Sequence, residues 1–484
     1  MAKSPRNDSG SPTSAKNTIR RHAVDAAYLK HPAHLRTREA RAESGKALRT
    51  GCPREAHASF TPAALRPDPI DLLIESSQGR IEHLIPIRYG RMLASPFAFF
   101  RGAAAIMASD LSNTPSTGLG VQACGDAHLV NFGAFATPER RIVFDINDFD
   151  ETFPAPWEWD LKRLAASFVI ASRHNGHKIS EARAAAATTV RCYAEKLREL
   201  AAMPTLDAWY ACLDYERLIE MTNDQELKRR RKKVLDKAQR RDSAAEFVNL
   251  GHVEGGQPRI KDEPPLIYHA NDLRDPQYEA QVRANVVRYR DSLPRERRVL
   301  LDRYEVSDVA IKVVGVGSVG TMCGVVLMFA AEGDPLFLQV KEARDSVLSA
   351  YVDHPAFESN GERVIFGQRL MQAASDVFLG HLVSVAGKHL YVRQLRDVKV
   401  KPMIEIFTAQ NMLEYAQNTG WALARAHAHS GDPAVISGYI GKGDVFADAI
   451  AEFSINYAQQ NERDHAALVA AIRGGRIEAE TESD

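Results

Sequence analysis

The spacing of apolar and polar positions divides this chain into helical and stranded stretches. Globular patterning begins at Pro67, and Ile70, Leu72, Leu73 and Ile74 open a short apolar segment. Residues 91–110, RMLASPFAFFRGAAAIMASD, predict one buried helix after Pro96. Two strand-like pieces follow, GLGVQACGDAH and RRIVFDINDFD. Residues 160–175 carry apolar side chains at helical spacing, with Lys and Arg on the other face. A helical region runs to about Asp242, and 255–265, with two Gly and three Pro, reads as a loop between lobes.

Beyond Val306 the texture changes. VAIKVVGVGSVGTMCGVVLMFA and PLFLQVKEA are β-rich runs joined by Glu332-Gly333-Asp334-Pro335, a turn sequence. A helix is expected over 358–374, then LYVRQL as a strand, then helices from Met412 on, including GWALARAHAHS. The first ~45 residues are rich in Ser, Arg, Lys and Ala and predict a disordered or loosely helical extension.

Composition narrows the class. With 484 residues the chain can bury a large core in two or more lobes. Lys plus Arg and Asp plus Glu both number 62, so no global field favours nucleic acid or a membrane surface. The basic run KRRRKK at 228–233 reads as a solvated helix face. The five cysteines are scattered without a CxxC pair, which argues against a zinc site or a disulfide framework. The N-terminus has no apolar core of a signal peptide, and no stretch is long enough to span a bilayer. A cytoplasmic protein with no specific nucleic-acid or membrane partner is expected; the oligomeric state stays open.

The strongest chemical signal is CGDAHLVNFG at 124–133, followed by VFDINDFDE at 143–151. Asp126, Asp145, Asp148, Asp150 and Glu151 lie close in sequence, and burying several carboxylates requires a cation or extensive hydrogen bonding. Phosphoryl transfer needs a carboxylate beside the attacking hydroxyl and hard oxygen ligands that hold Mg²⁺ against the phosphates. Asp126 and Asn131 have the D-x-x-x-x-N spacing of a kinase catalytic loop, and Asp148 arrives one hairpin later in Asp-Phe-Asp. Asp126 and His128 are therefore the candidate catalytic residues, and Asn131 and Asp148 the candidate metal ligands, with Asp145 as a further one. The other half of such a site lies later. Gly315, Gly317, Ser318 and Gly320 fall in a GxGxxG, and the β-branched run after it favours a strand–turn–strand over a dinucleotide-binding helix. Lys341 sits on the next apolar strand, and Glu362 or Glu358 on the following helix offers it a carboxylate, with Glu362 favoured. Arg88, Arg91 and Arg101 are candidates for phosphate or anionic-acceptor contacts as well as for structural ion pairs.

The 124–149 stretch resembles the aminoglycoside phosphotransferases and related small-molecule kinases, where His-Gly-Asp-x-His-x-x-Asn precedes an Ile-Asp-Phe/Trp strand. Cys124 replaces the first His. PAPWEWDL at 154–161 resembles the segment whose Asp braces the catalytic loop, which selects Asp148 over Asp145 as second metal ligand. LARAHA at 423–428 resembles the helix that usually precedes that loop, yet here it follows the glycine-rich region. More broadly, RPDPIDLL, PIRYGRM, SPFAFFRGAA, CGDAHLVNFG, FDINDFDETFPAPWEWDLKRLAAS and GQRLMQAASD are similar to the bacterial domain of unknown function 2252 family.

These resemblances imply an α+β, protein-kinase-like two-lobe fold, circularly permuted, with ATP and Mg²⁺ as cofactors and a small-molecule hydroxyl acceptor. The expected layout is an extension at 1–45, a mostly helical catalytic portion at 46–265, a β-rich nucleotide portion at 300–400, returning helices at 401–475 and an acidic tail at 476–484. Three alternatives remain: a catalytically inactive nucleotide-binding pseudokinase, an AMP transferase on the same fold, and a metal-dependent hydrolase using Asp126, His128, Asp145 and Asp148.

Overall fold

The computed structural model describes residues 22–23, 36–222, 224–239, 243–313, 315, 317, 319–353, 357–395 and 399–480. Most of the expected N-terminal extension, Ser318 and the last four residues of the acidic tail lie outside them. The architecture is mixed helix and strand. Among the described residues no helix is long and apolar enough to cross a membrane.

The segment expected to be disordered or loosely helical to about residue 45 ends in a helix that packs on the rest of the chain. Arg38–Ala47 is a helix capped by the Thr37 hydroxyl, and Arg41 pairs with Asp432 at 2.9 Å. Local apolar content hid this, because the helix is held by contacts with Pro433–Ile440 almost 400 residues away.

The elements that frame the site are numbered here in chain order. Helix α1 (Pro69–Ser77) starts at Asp68, whose carboxylate accepts from the Ile70 N–H, with Pro69 at the first position. Helices α2 (Ile85–Leu93), α3 (Pro96–Gly102) and α4 (Ala104–Leu111) follow. The single helix expected after Pro96 is thus two pieces, α3 and α4. Ser95 and Pro96 start the first, and the turn at Ala103 ends it where Gly102 packs directly on the Met92 side chain.

Strand β1 (Gly120–Ala123) pairs antiparallel with β4 (Phe153–Pro156), and between them β2 (Phe132–Ala136) pairs with β3 (Ile142–Ile146). Helices α5 (Trp157–His174) and α6 (Ile179–Ala202) run behind these hairpins. The basic run falls on α7 (Gln225–Gln239), where Arg229 and Arg230 pair with Glu226 and Arg231 reaches Glu414, in keeping with a solvated helix face. Part of the loop expected at 255–265 is a hairpin, Gly251–Glu254 with Gln257–Ile260.

The six-stranded sheet comes next. Its strands are β5 (Ile267–Tyr268), β6 (Glu305–Lys312), β7 (Cys323–Phe329), β8 (Pro335–Glu342), β9 (Gly380–Val383) and β10 (His389–Gln394), with α8 (Pro276–Ser292) before β6 and α9 (Asn360–Met371) between β8 and β9. The antiparallel order is β9-β10-β8-β7-β6-β5. Alternation along β8 sends Leu336 and Leu338 to one face, against Tyr289 and Leu293 at the end of α8, and Phe337, Gln339 and Lys341 to the other. The chain then returns through β11 (Lys399–Val400), which pairs with β2, to α10 (Ala409–Ala428) and α11 (Asp444–Arg473). The largest core joins α5, α6, α10 and α11 to the hairpins, with Trp157, Trp159, Phe168 and Tyr193 fully buried.

Candidate functional site

The loop leaving β1 is fastened by one carboxylate. Asp160, in the first turn of α5, accepts from the Cys124 N–H at 2.6 Å and from the Gly125 N–H at 2.9 Å, and His427 of α10 reaches it at 3.2 Å. Gly125 has φ +81°, and a Cβ there would overlap the Glu151 carbonyl, so this turn requires glycine. The expected bracing role of Asp160 is what the geometry displays. His427 is fully buried, as a core residue, and hydrogen-bonds Tyr193. His429 stacks on Trp209 at 4.2 Å.

Asp126 follows the turn. Arg163 grips its carboxylate from Nε at 2.7 Å and Nη2 at 2.5 Å. Burial nevertheless dominates and, with Glu151 and Asp148 nearby, pushes its carboxyl up to about 7. The Asn131 amide donates to the Asp126 carbonyl at 2.9 Å, which spends its N–H₂ and leaves its Oδ1 for other partners. His128 is 3.8 Å from the Asp126 carboxylate and accepts from the Val130 N–H through Nδ1. Burial first, then the Arg101 and Arg163 guanidiniums, hold its pKa well below the usual imidazole range, so it stays neutral.

Asp148 and Asp150 emerge beyond β3. The Cys124 thiol donates to the Asp148 carbonyl at 3.4 Å and so ties the two loops together. Among the described residues Asp148 makes no ion pair. Asp150 accepts from Lys341 at 2.5 Å and from the Tyr391 hydroxyl. Burial opposes ionisation of Asp150, but the Lys341 charge outweighs it and holds the carboxyl below its ordinary value, while Lys341 is held well above its own.

Two of the expected roles take a different form. Asp145 is 1 % exposed and spent on Arg425 at 3.1 Å and the Ala373 N–H at 2.8 Å, so it is not a cleft ligand. Asp145 lies within β3, whereas Asp148 lies beyond the end of that strand, where the chain enters the cleft. Glu362 does not meet Lys341. Its carboxylate accepts from the Glu358 N–H at 3.2 Å, while its own N–H is capped by Ser359 at 3.0 Å. The inward position on α9 belongs to Arg363, which donates to the carbonyls of Asp150, Thr152 and Arg344. Asp150 supplies the carboxylate expected from the helix.

The turn between β6 and β7 has the strand–turn–strand form expected for the GxGxxG, with φ +65° at Gly315 and +82° at Gly320. Its outer support was not legible in the sequence. Arg80 donates to the carbonyls of Gly317 at 2.9 Å and Val319 at 2.5 Å, Ile81 N–H donates to Gly320 at 2.7 Å, and Arg91 reaches the Gly315 carbonyl. With its carbonyls pulled outward, the turn is held against the helical half.

These parts face one cleft of about 620 Å³. Asp126, His128, Asn131, Asp148, Asp150, Gly315 and Gly317 line it, together with Arg80, Arg88, Arg101 and Arg344 and with Glu151, Glu342 and Asp345. A second, smaller cavity of about 260 Å³ lies below β2 and β3, lined largely by apolar chains such as Phe144, Tyr215, Val400 and Tyr415. Among the described residues no three His, Cys, Asp or Glu side chains converge to hold a metal by themselves. With Asp145 withdrawn, the ligand set of a transition-metal hydrolase is incomplete. Asn131 and Asp148 offer the oxygen donors that a magnesium ion takes, its remaining ligands coming from other oxygens.

Over residues 80–471 the chain matches the model of a family described as uncharacterized protein conserved in bacteria (DUF2252), and it belongs to that family. No curated protein matches the chain. No solved structure matches it either.

Proposed function

We propose that this protein is an ATP- and Mg²⁺-dependent phosphotransferase with a kinase-like, circularly permuted two-lobe framework. The observation that carries the reading is convergence. Asp126, Asn131 and Asp148 from one half face the same cleft as the glycine turn at 315–320, and Lys341, some 190 residues away in sequence, is joined to Asp150 two residues beyond Asp148. A packing-only arrangement gives no reason for a brace on the backbone of Cys124 and Gly125 just before Asp126, an Asp148 without an ion pair among the described residues and a buried lysine to assemble there.

The permutation is supported at its joint. The residues after α10 lie against the start of β1, where the Gln122 N–H donates to the Ser430 hydroxyl at 2.8 Å. Joining those two points would restore the order sheet, helix, catalytic loop. Such rearrangement is tolerable where ends meet in space.

In this reading an acceptor hydroxyl oxygen attacks the γ-phosphorus of ATP. The new O–P bond forms as the bond from phosphorus to the β,γ-bridging oxygen breaks, and that electron pair leaves with ADP. The hydroxyl proton passes to the Asp126 carboxylate, which the Asp160 brace and Arg163 keep in place. Asn131 Oδ1 and the Asp148 carboxylate would hold magnesium, which when bound neutralises charge on the phosphates. Lys341 keeps donors beyond the one given to Asp150 and would reach the α/β-phosphates. Small residues in the turn let backbone N–H groups approach phosphate.

The first test is calorimetric titration of ATP into the wild type and Asp148→Ala, with and without Mg²⁺. Binding that needs Mg²⁺ and weakens in the variant is expected; no binding by the wild type would sink the reading. The pseudokinase alternative is favoured by one observation, the Lys341–Asp150 pair, which must share its lysine with the nucleotide before turnover. It predicts ATP binding without ATP consumption across a broad acceptor screen. Adenylyl transfer would show AMP on the acceptor instead of phosphate.

A further inference from the structure

One wall of the cleft is built from arginines whose hydrogen bonds go to groups other than carboxylates. Arg88 of α2 is 2 % exposed, and its donors go to the hydroxyls of Ser76 and Ser77 and the Gly102 carbonyl; its Nε is buried without a partner. Arg80 spends its donors on the carbonyls of Ser76, Gly317 and Val319. Arg344 donates to the carbonyls of Ser76 and Gln78. Not one of these contacts is to a carboxylate. Arg101 of α3 goes further: its Nε is buried without a partner, and among the described residues it makes no hydrogen bond and no ion pair.

Buried guanidiniums are ordinarily paired, because the cost of desolvation is recovered only by a counter-charge. Here they repel one another. Burial, then the charges of Arg88 and Arg344, push Arg80 down to about 9, and burial with Arg344 pushes Arg88 down to about 10. Glu151 is the carboxylate that bears on Arg80, and one of its oxygens is taken by the Val347 N–H at 2.8 Å. Among the described residues no carboxylate is hydrogen-bonded to these four guanidiniums, although Glu342 and Asp345 line the same cleft, which is large enough for a small molecule.

The wall borders both sides of the proposed site: Arg80 holds the carbonyls of Gly317 and Val319, while Arg101 lines the cleft together with Asp126. Lys341 and the turn at 315–320 come from the sheet; Arg80, Arg88 and Arg101 come from α1–α3 and the loop between α1 and α2, and Arg101 is close enough to Asp126 for the two charges to attract. A group held at Arg101 sits beside the base, where an acceptor belongs.

We propose that this wall binds the phosphate of a phosphorylated acceptor, so that the substrate is a phosphate monoester carrying a free hydroxyl. A dianion answers several guanidiniums that no carboxylate pairs, and Arg101 supplies planar donors suited to phosphate oxygens. This proposal rests on the phosphotransferase reading and narrows its acceptor class.

The test uses the full chain saturated with Mg²⁺ and the non-hydrolysable analogue AMP-PNP, titrated with inorganic phosphate and, separately, with acetate. Phosphate is expected to bind more tightly than acetate. Arg101→Gln is expected to weaken phosphate by about tenfold or more, the scale of one charge-assisted hydrogen bond, and Arg101→Lys to recover part of the loss. AMP-PNP affinity should stay within about threefold in both variants, because Arg101 faces the acceptor. Arg101 holds no other side chain, so its replacement leaves the packing network intact, and the melting temperature checks this. Phosphate binding unchanged in Arg101→Gln, or acetate binding as tightly as phosphate, overturns the proposal. So does a variant that loses AMP-PNP and keeps phosphate, which would give Arg101 to the nucleotide. Failure of AMP-PNP to bind the wild type is read in its own titration; it removes the phosphotransferase reading, and the acceptor role with it.

Discussion

The hairpins at 120–160 and the sheet at 305–394 reach the same cleft by opposite routes. In the hairpins the deciding contacts are short-range: Asp160 holds Cys124 and Gly125, Asn131 closes on Asp126, and Cys124 meets Asp148. In the sheet they are long-range: Arg80 and Arg91 hold the glycine turn from more than 200 residues away, and Asp150 holds Lys341. The difference teaches that the carboxylate side is preformed by its own segment, while the glycine turn and lysine are set in place by the other half. Changes in the hairpins should remove chemistry or fold outright; changes in the sheet's supports should tune affinity.

The sharpest break of that contrast is Asp126→Asn. Loss of a general base should lower phosphotransfer by about 10²- to 10⁴-fold, read as product formed per unit time, with nucleotide affinity kept. Full activity would show that Asp126 only positions.

Next in size is Asp145. Arg425→Met leaves that carboxylate buried and unpaired, which should cost about 3–5 kcal/mol of stability in denaturant unfolding. If Asp145 were a metal ligand instead, the variant would fold normally and lose metal affinity.

Acid should separate the two halves. His57, packed on Tyr439 in the helical half, is pushed down to about 2 by burial, and His429 to about 4. Both stay neutral when folded but take up a proton when unfolded below about 6.5, so their contribution is present above that pH and declines as pH falls. The slope is about 1.4 kcal/mol per pH unit for each group. His269 in the sheet half has the opposite sign. Burial lowers it, but its bonds to Asp308 and Asp262 prevail and raise it, so its contribution is present at low pH and lost as pH rises through its folded pKa. Hydrogen exchange on lowering the pH from 7 to 5 should open the helical half first; uniform loss would refute the contrast.

Arg80→Ala should loosen the glycine turn. ATP affinity is expected to fall by roughly fivefold to tenfold, the worth of one or two hydrogen bonds, with a small change in melting temperature. The smallest effect is expected for Glu362→Gln. With no contact to Lys341, it should change ATP affinity by less than about twofold and stability by less than about 0.5 kcal/mol. A large loss would restore Glu362 as the lysine's partner in the bound state.

Much of the helical and stranded layout was legible because periodicity reports burial. The glycine turn, β8 with its lysine, and the Asp126–Asn131 loop fall where the pattern placed them. The break at Ala103 was not, since the run 91–110 is apolar on both sides of it and only Met92 against Gly102 interrupts it. Asp145 and Asp148 look alike in sequence; the end of β3 falls between them, and one meets Arg425 while the other lies in the cleft. Arg80, Arg101 and Arg363 carried no motif. Their roles depend on which carbonyls or empty space the packed halves present.

By itself the sequence determined the local chemistry: a braced acidic loop, a glycine turn, a lysine strand and the family they belong to. Those signals survive because their partners lie within one turn, hairpin or helix, where spacing alone sets geometry. Tertiary structure decided the pairings: Lys341 with Asp150, Asp145 with Arg425, the turn with Arg80, and a wall of arginines whose hydrogen bonds go to groups other than carboxylates. Charge compensation in a buried cleft is a property of whatever distant groups are brought within a few ångströms, and no local pattern records that distance.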